Sequence, residues 1–264
     1  MRSTEHFFAR NPVFALDTFV REVGTSESVA TAYRHLDYYV GVGRLRRVRS
    51  GLFAVVPAGI EPKSFTPDPY LVASVAGGGA PLGYHSALEL LGVGQSVFHT
   101  VTVVSEKRAR PFEFDNERVD FVLSPASLRN ANRLDLGVTS VRRLGHDLSI
   151  TGRERTLVDC LLQPGRAGGL EEVLNSLGGF GVVDLQALEQ YLHALDVRRA
   201  WAVTGYYLEK RMAQLFVPED ALRRMAAQIP RARQYWVREQ RGGTLAKGWN
   251  LIVPEAAEGI LGGA

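Results

Sequence analysis

Residues 44–57, RLRRVRSGLFAVVP, place Arg44, Arg46, Arg47 and Arg49 within six positions, then turn at Ser50-Gly51 into an apolar run. Guanidinium groups suit phosphate because each offers a planar fork of donors that stays charged. A second group lies in FEFDNERVDF, where Glu113, Asp115, Glu117 and Asp120 gather. Clustered carboxylates beside a lysine hold Mg²⁺ in nucleases. Here the Glu-x-Lys, Glu61-Pro62-Lys63, sits in a proline-rich stretch with no paired aspartate just upstream. A Mg²⁺-dependent nuclease is therefore the alternative reading, and a solvated hairpin edge the preferred one for these acids.

Other chemistry finds less support. His6, His35, His85, His99, His146 and His193 include no pair at i, i+4, and one cysteine cannot complete a zinc site. Each histidine reads as a surface or capping residue. Cys160 lies in the helical pattern RTLVDCLL and reads as core. Ser86 follows His85 without a glycine elbow, and GGGAPLGYHS has no Lys-Ser/Thr after its last glycine. GVGR lacks the third glycine of a dinucleotide loop. The expectation is a protein without catalysis, metal or cofactor.

The four arginines need a frame. Upstream, residues 12–24 carry apolar side chains at 16, 19, 20 and 23, a helical spacing that Gly24 ends. Thr25 or Ser26 then caps a second helix, with Glu27 and Ser28 in its first turn. Val29, Ala32 or Tyr33, Leu36 and Val40 form its apolar face, while Thr31, Arg34, His35 and Tyr38 lie on or near the opposite one. Ser50-Gly51 supplies the turn of a hairpin. Leu45 and Val48 differ in parity, so alternation does not say which arginines face solvent.

Two short helices followed by a two-stranded ribbon is the order of a winged helix-turn-helix. Ser26, Ser28 and Thr31 are the short polar residues that approach base edges, and Arg34 reaches phosphate or guanine.

Residues 58–69, AGIEPKSFTPDP, read as a linker, which divides the chain into a DNA-binding domain over 1–57 and a second domain over 70–264. The second domain reads as mixed: helices at DPYLVASVAG and YHSALELLG, several antiparallel strands over 98–124, and in LSITGRERTLVDCLL a strand, then Thr151 and Gly152 before a helix. An almost wholly helical stretch spans 168–228, and two strands follow in the tail. The fold class is α+β. The 264 residues carry 45% hydrophobic and 22% charged residues with a net charge of +3, the composition of a folded, mildly basic protein. Without an apolar run of about 18 residues or a signal-peptide core, the expected location is the cytoplasm, away from membranes.

The chain resembles AbiEi-type antitoxins, the transcriptional regulators of type IV toxin–antitoxin pairs that act in phage defence by abortive infection. The resemblance rests on HFFARNPVFALDTFV, GRLRRVRSGLFAVVP, PDPYLVAS, YHSALELLG, RERTLVDCLLQPGRAGGLEEVL and WNLIVP, in that order over nearly the whole length. It implies a winged helix that binds double-stranded DNA at inverted repeats in its own promoter and represses the operon. It also implies a C-terminal domain that counteracts a nucleotidyltransferase-like toxin. Carried over, the wing corresponds to Arg44, Arg46, Arg47 and Arg49, and the recognition helix to about 26–40. Many relatives have more arginine in that helix. This chain has RHLDYY, with Asp37, so the expectation is that affinity rests mainly on the wing. A protein–protein adaptor using the same winged helix is the other alternative.

Overall fold

Phenylalanine organises the amino-terminal sixty residues. Phe7, Phe8, Phe14, Phe19 and Phe53 are all buried in one cluster with Ala32, Leu36 and Leu45. Their rings meet edge-on and stacked, with Phe7 and Phe14 centroids 5.0 Å apart and Phe14 and Phe53 5.8 Å apart. The structure, a computed structural model, describes residues 4–23, 29–237 and 242–262.

Around that cluster run α1 (Thr4–Arg10), β1 (Val13–Ala15), α2 (Leu16–Glu22), α3 (Val29–Gly41), β2 (Leu45–Arg49) and β3 (Leu52–Val55). The strands form one antiparallel sheet in the order β1-β3-β2. The single helix expected over 12–24 is thus a short strand followed by a helix. Pro12 supplies no N–H but its carbonyl accepts from Val55 N at 2.8 Å, and Val13-Phe14-Ala15 pair with 52–54. Sheet pairing overrides the helical spacing there. In α3, Ala32 and Leu36 are buried as expected, but Val29 is 58% exposed, because the core-facing stripe begins one turn later.

The sheet is covered on both faces. Leu45, Phe14 and Phe53 point into the phenylalanine cluster, whereas Val13, Leu52 and Ala54 join a second cluster with Tyr70, Val72, Val103 and Ile150. The proline-rich stretch forms turns, and residues on either side of it share this second cluster. It ends in Asp68, whose carboxylate accepts from Tyr70 N and Leu71 N, both at 3.0 Å, and caps the next helix with Pro69 in the first turn.

The remainder is mixed α and β. It opens with α4 (Pro69–Ala76), α5 (His85–Leu90), β4 (Thr100–Ser105), β5 (Phe112–Phe114), β6 (Glu117–Leu123), α6 (Ala126–Asn130), β7 (Val138–Arg143) and β8 (His146–Thr151). Strand order β4-β6-β5 makes β4 and β6 parallel, where antiparallel pairing was expected. β5 pairs only with the far edge of β6, so β6 returns alongside β4 in the same direction. β4 is buried at five consecutive positions, Val101 to Ser105, as a strand covered on both faces requires.

Helices α7 (Arg153–Leu162), α8 (Leu170–Leu177), α9 (Leu185–Leu195), α10 (Arg198–Lys210), α11 (Met212–Leu215) and α12 (Glu219–Ala226) build the largest core, in which Cys160 is buried. Strands β9 (Gln234–Tyr235), β10 (Thr244–Ala246) and β11 (Leu251–Val253), ordered β10-β11-β9, and α13 (Glu255–Gly262) close the chain. Trp249 packs against α10 at Gly205, and its Nε1 donates to Glu209 at 3.0 Å. A methyl group at Gly205 would lie 2.0 Å from the indole. Gly205→Ala is expected to destabilise the chain by about 1–3 kcal/mol, read by thermal or urea unfolding. No helix among the described residues is long and apolar enough to cross a membrane.

Candidate nucleic-acid interface

Helix α3 and the β2–β3 hairpin are tied together at the hairpin tip. The hydroxyls of Tyr33 and Ser50 lie 3.2 Å apart, and Gly51 takes the left-handed φ of +75° that the tight turn demands. Leu16 N donates to Gly51 O at 2.9 Å, so α2 also holds the tip. The exposed surface of α3 carries Arg34, Asp37 and Tyr38. Thr31 is half-buried. His35 is also half-buried, its ring 5.9 Å from that of Phe19 and 5.2 Å from that of Tyr39. Ser26 and Ser28 lie outside the described residues.

A bulge resolves the parity of the hairpin. Arg47 pairs with Phe53 and Arg49 with Leu52, leaving Val48 as the extra residue. Before the bulge, Leu45 and Arg47 share the side that faces α3. After it, Arg49 falls on the opposite side with Arg46. The four arginines therefore have different surroundings.

Arg44 donates to Val56 O at 3.1 Å and to Glu5 at 3.0 Å. Arg46 donates to Phe65 O and to Asp115 in the β5–β6 turn. Arg47 is ion-paired with Asp37 of α3, and its guanidinium stands 5.9 Å and 5.7 Å from the ring centroids of Tyr33 and Phe53. Arg49 lies over the Phe112 ring at 4.1 Å, and burial lowers its pKa from the ordinary arginine value. Arg44 and Arg46 are half-buried, whereas Arg34, Arg47 and Arg49 are exposed.

The acids of the 113–120 segment are each engaged by a cation or histidine. Arg118 bridges Glu113 at 2.9 Å and Asp120 at 3.0 Å, Asp115 holds Arg46, and Glu117 meets His99 at 2.9 Å. Among the described residues no group of three or more histidine, cysteine or acidic side chains could hold a metal ion. Ser86 is buried and accepts from Thr102 N at 2.9 Å.

One polar cluster departs from the expected surface histidines. His85 is buried, with Nε2 3.2 Å from Glu172 and Nδ1 3.8 Å from Glu89. Glu172 also accepts from Gln95 N, from Ser96 N and Oγ, and from Ser176 Oγ. Burial raises its pKa, but these hydrogen bonds outweigh burial and bring it down to about 2. The cluster pins the loop 95–98 to α5 and α8. Glu89, one helical turn beyond His85, was a readable partner; Glu172, across the fold, was not.

No family model matches the chain, and no curated protein matches it. Among solved structures it is similar to the crystal structure of the RV2827C protein from Mycobacterium tuberculosis. The TM-score is 0.58 and the identity 19%, over 97% of this chain and 90% of that one. That likeness extends to the fold.

Proposed function

We propose that the chain is a DNA-binding autorepressor and antitoxin of the AbiEi type. In this reading residues 1–57 are a winged helix-turn-helix, and the remainder opposes a nucleotidyltransferase-like toxin in the cytoplasm. The observation that supports it most is the joining of α3 to the hairpin tip through Tyr33 and Ser50, 3.2 Å apart. Helix and ribbon then present one surface, on which Arg34 and Arg47 are exposed, while Arg49 is exposed on the other side of the hairpin. Helix α3 enters the major groove with Thr31 and Arg34 toward base edges, and the hairpin lies along the flanking phosphates.

Fluorescence anisotropy on a duplex from the chain's own promoter tests this. Two to four arginine–phosphate contacts should give a slope of log K against log salt of about −2 to −4. Equal affinity for an unrelated duplex, or a slope near zero, would rule the reading out.

A further inference from the structure

Arg47 is the exposed hairpin arginine that meets a carboxylate, and that carboxylate belongs to α3 itself. Asp37 holds the guanidinium beside the faces of Tyr33 and Phe53. The side chains of Arg47 and Asp37 are 42% and 51% exposed. An ion pair so wet is weak and readily exchanged. Arg46 differs: its guanidinium also serves the Phe65 carbonyl and is 29% exposed, so its pairing with Asp115 is a tie between segments. Asp37 also follows Arg34 by three residues, which sets both on the same exposed helix surface.

We propose that Asp37 is a built-in stand-in for DNA phosphate. It occupies Arg47 in the free chain and must give it up on binding. Because this rests on the DNA-binding reading, the carboxylate has two effects. It neutralises a cation that would otherwise attract any duplex, and it repels phosphate on the helix surface that approaches the groove. Both penalise loose contact with arbitrary DNA more than a fully engaged operator, whose remaining contacts offset the exchange. Fewer counterions are released when phosphate replaces an internal carboxylate, so the exchange also flattens the salt dependence.

The test compares Asp37→Asn with the parent chain on promoter and unrelated duplexes across a salt series. Asp220→Asn is the control, since Asp220 is also an exposed carboxylate paired with an arginine, Arg224 at 2.5 Å on α12, and its loss changes net charge equally. Asp37→Asn is expected to bind the promoter at least about threefold more tightly, to gain more on unrelated DNA, and to steepen the slope by about 0.9. Asp220→Asn should match the parent, and in an Arg47→Ala background the steepening should vanish. If the parent binds with a steep slope and Asp37→Asn shows no gain, or gains no more than Asp220→Asn, the stand-in role is overturned and the DNA reading survives. If neither the parent nor Asp37→Asn binds any duplex, both fall.

Discussion

A chain with alanine at Arg34, Arg47 and Arg49 is expected to bind its promoter at least about a hundredfold more weakly, from three charge-assisted contacts of about 1 kcal/mol or more each. These are the residues that the surroundings leave for a partner. Arg47 sits in an exchangeable ion pair, Arg49 lies over an aromatic ring with its edge exposed, and Arg34 stands on the exposed face of α3. The three losses should not be alike. Alanine at Arg47 or Arg49 should weaken promoter and unrelated duplexes together, Arg49→Ala reducing the salt slope by about 0.9 and Arg47→Ala changing it little because Asp37 already offsets that cation, whereas alanine at Arg34 should alter sequence preference. Arg44 and Arg46 form the contrast. Their donors are spent on the Val56 and Phe65 carbonyls and on Glu5 and Asp115, so their removal should lower the unfolding midpoint and change binding less. A triple variant that binds within about threefold of the parent, with its fold intact by circular dichroism, would remove these arginines from the interface.

The division among four neighbouring arginines was not legible in RLRRVRSG. The hairpin turn was, because Ser50-Gly51 between the arginine-rich stretch and an apolar run calls for a positive φ and the chain has one at Gly51. What the pattern lacked was the bulge at Val48, which depends on how the strand meets Phe53 and Leu52 across the sheet. The partners lie further off: Asp115 is 69 residues from Arg46, and Glu172 is 87 from His85. Periodicity carries no information about such pairs. It likewise could not separate β1 from α2, since Val13-Phe14-Ala15 run directly into a helical spacing and only pairing with β3 makes them a strand. Strand direction in β4 and β6 was hidden for a related reason, because a valine-rich stretch reads alike in parallel and antiparallel neighbours. The elements of the candidate interface could be read locally. The charges that remain available on it could not.

Arg155→Ala is expected to cost about 3–5 kcal/mol, the usual result of stripping one partner from a buried ion pair. The Arg155 side chain is wholly buried, and its Nη1 donates to the carbonyls of Leu134 and Leu136, both at 2.9 Å. Its Nε stands 3.6 Å from Asp159, which also accepts from Tyr191 Oη at 2.6 Å, and the guanidinium is 5.5 Å from the Tyr191 ring centroid. One side chain thus fastens the segment before β7 to the core of α7 and α9. Burial raises the Asp159 pKa, with Arg155 and Tyr191 pulling it back. A carboxyl whose folded pKa exceeds its unfolded one takes up protons on folding, so its contribution favours folding at low pH and is lost as pH rises through the folded value. Without Arg155 that folded value climbs further, and the penalty should be larger at about pH 7 than at about pH 4. Arg155→Met refills the volume but leaves Asp159 unpaired, so it should remain destabilised at neutral pH. Adding Asp159→Asn should recover part of the loss and flatten its pH dependence. Urea unfolding of the parent, both single variants and the double at the two pH values decides it. A pH-independent penalty would show that Arg155 acts through its volume and its carbonyl contacts, with no electrostatic share from Asp159.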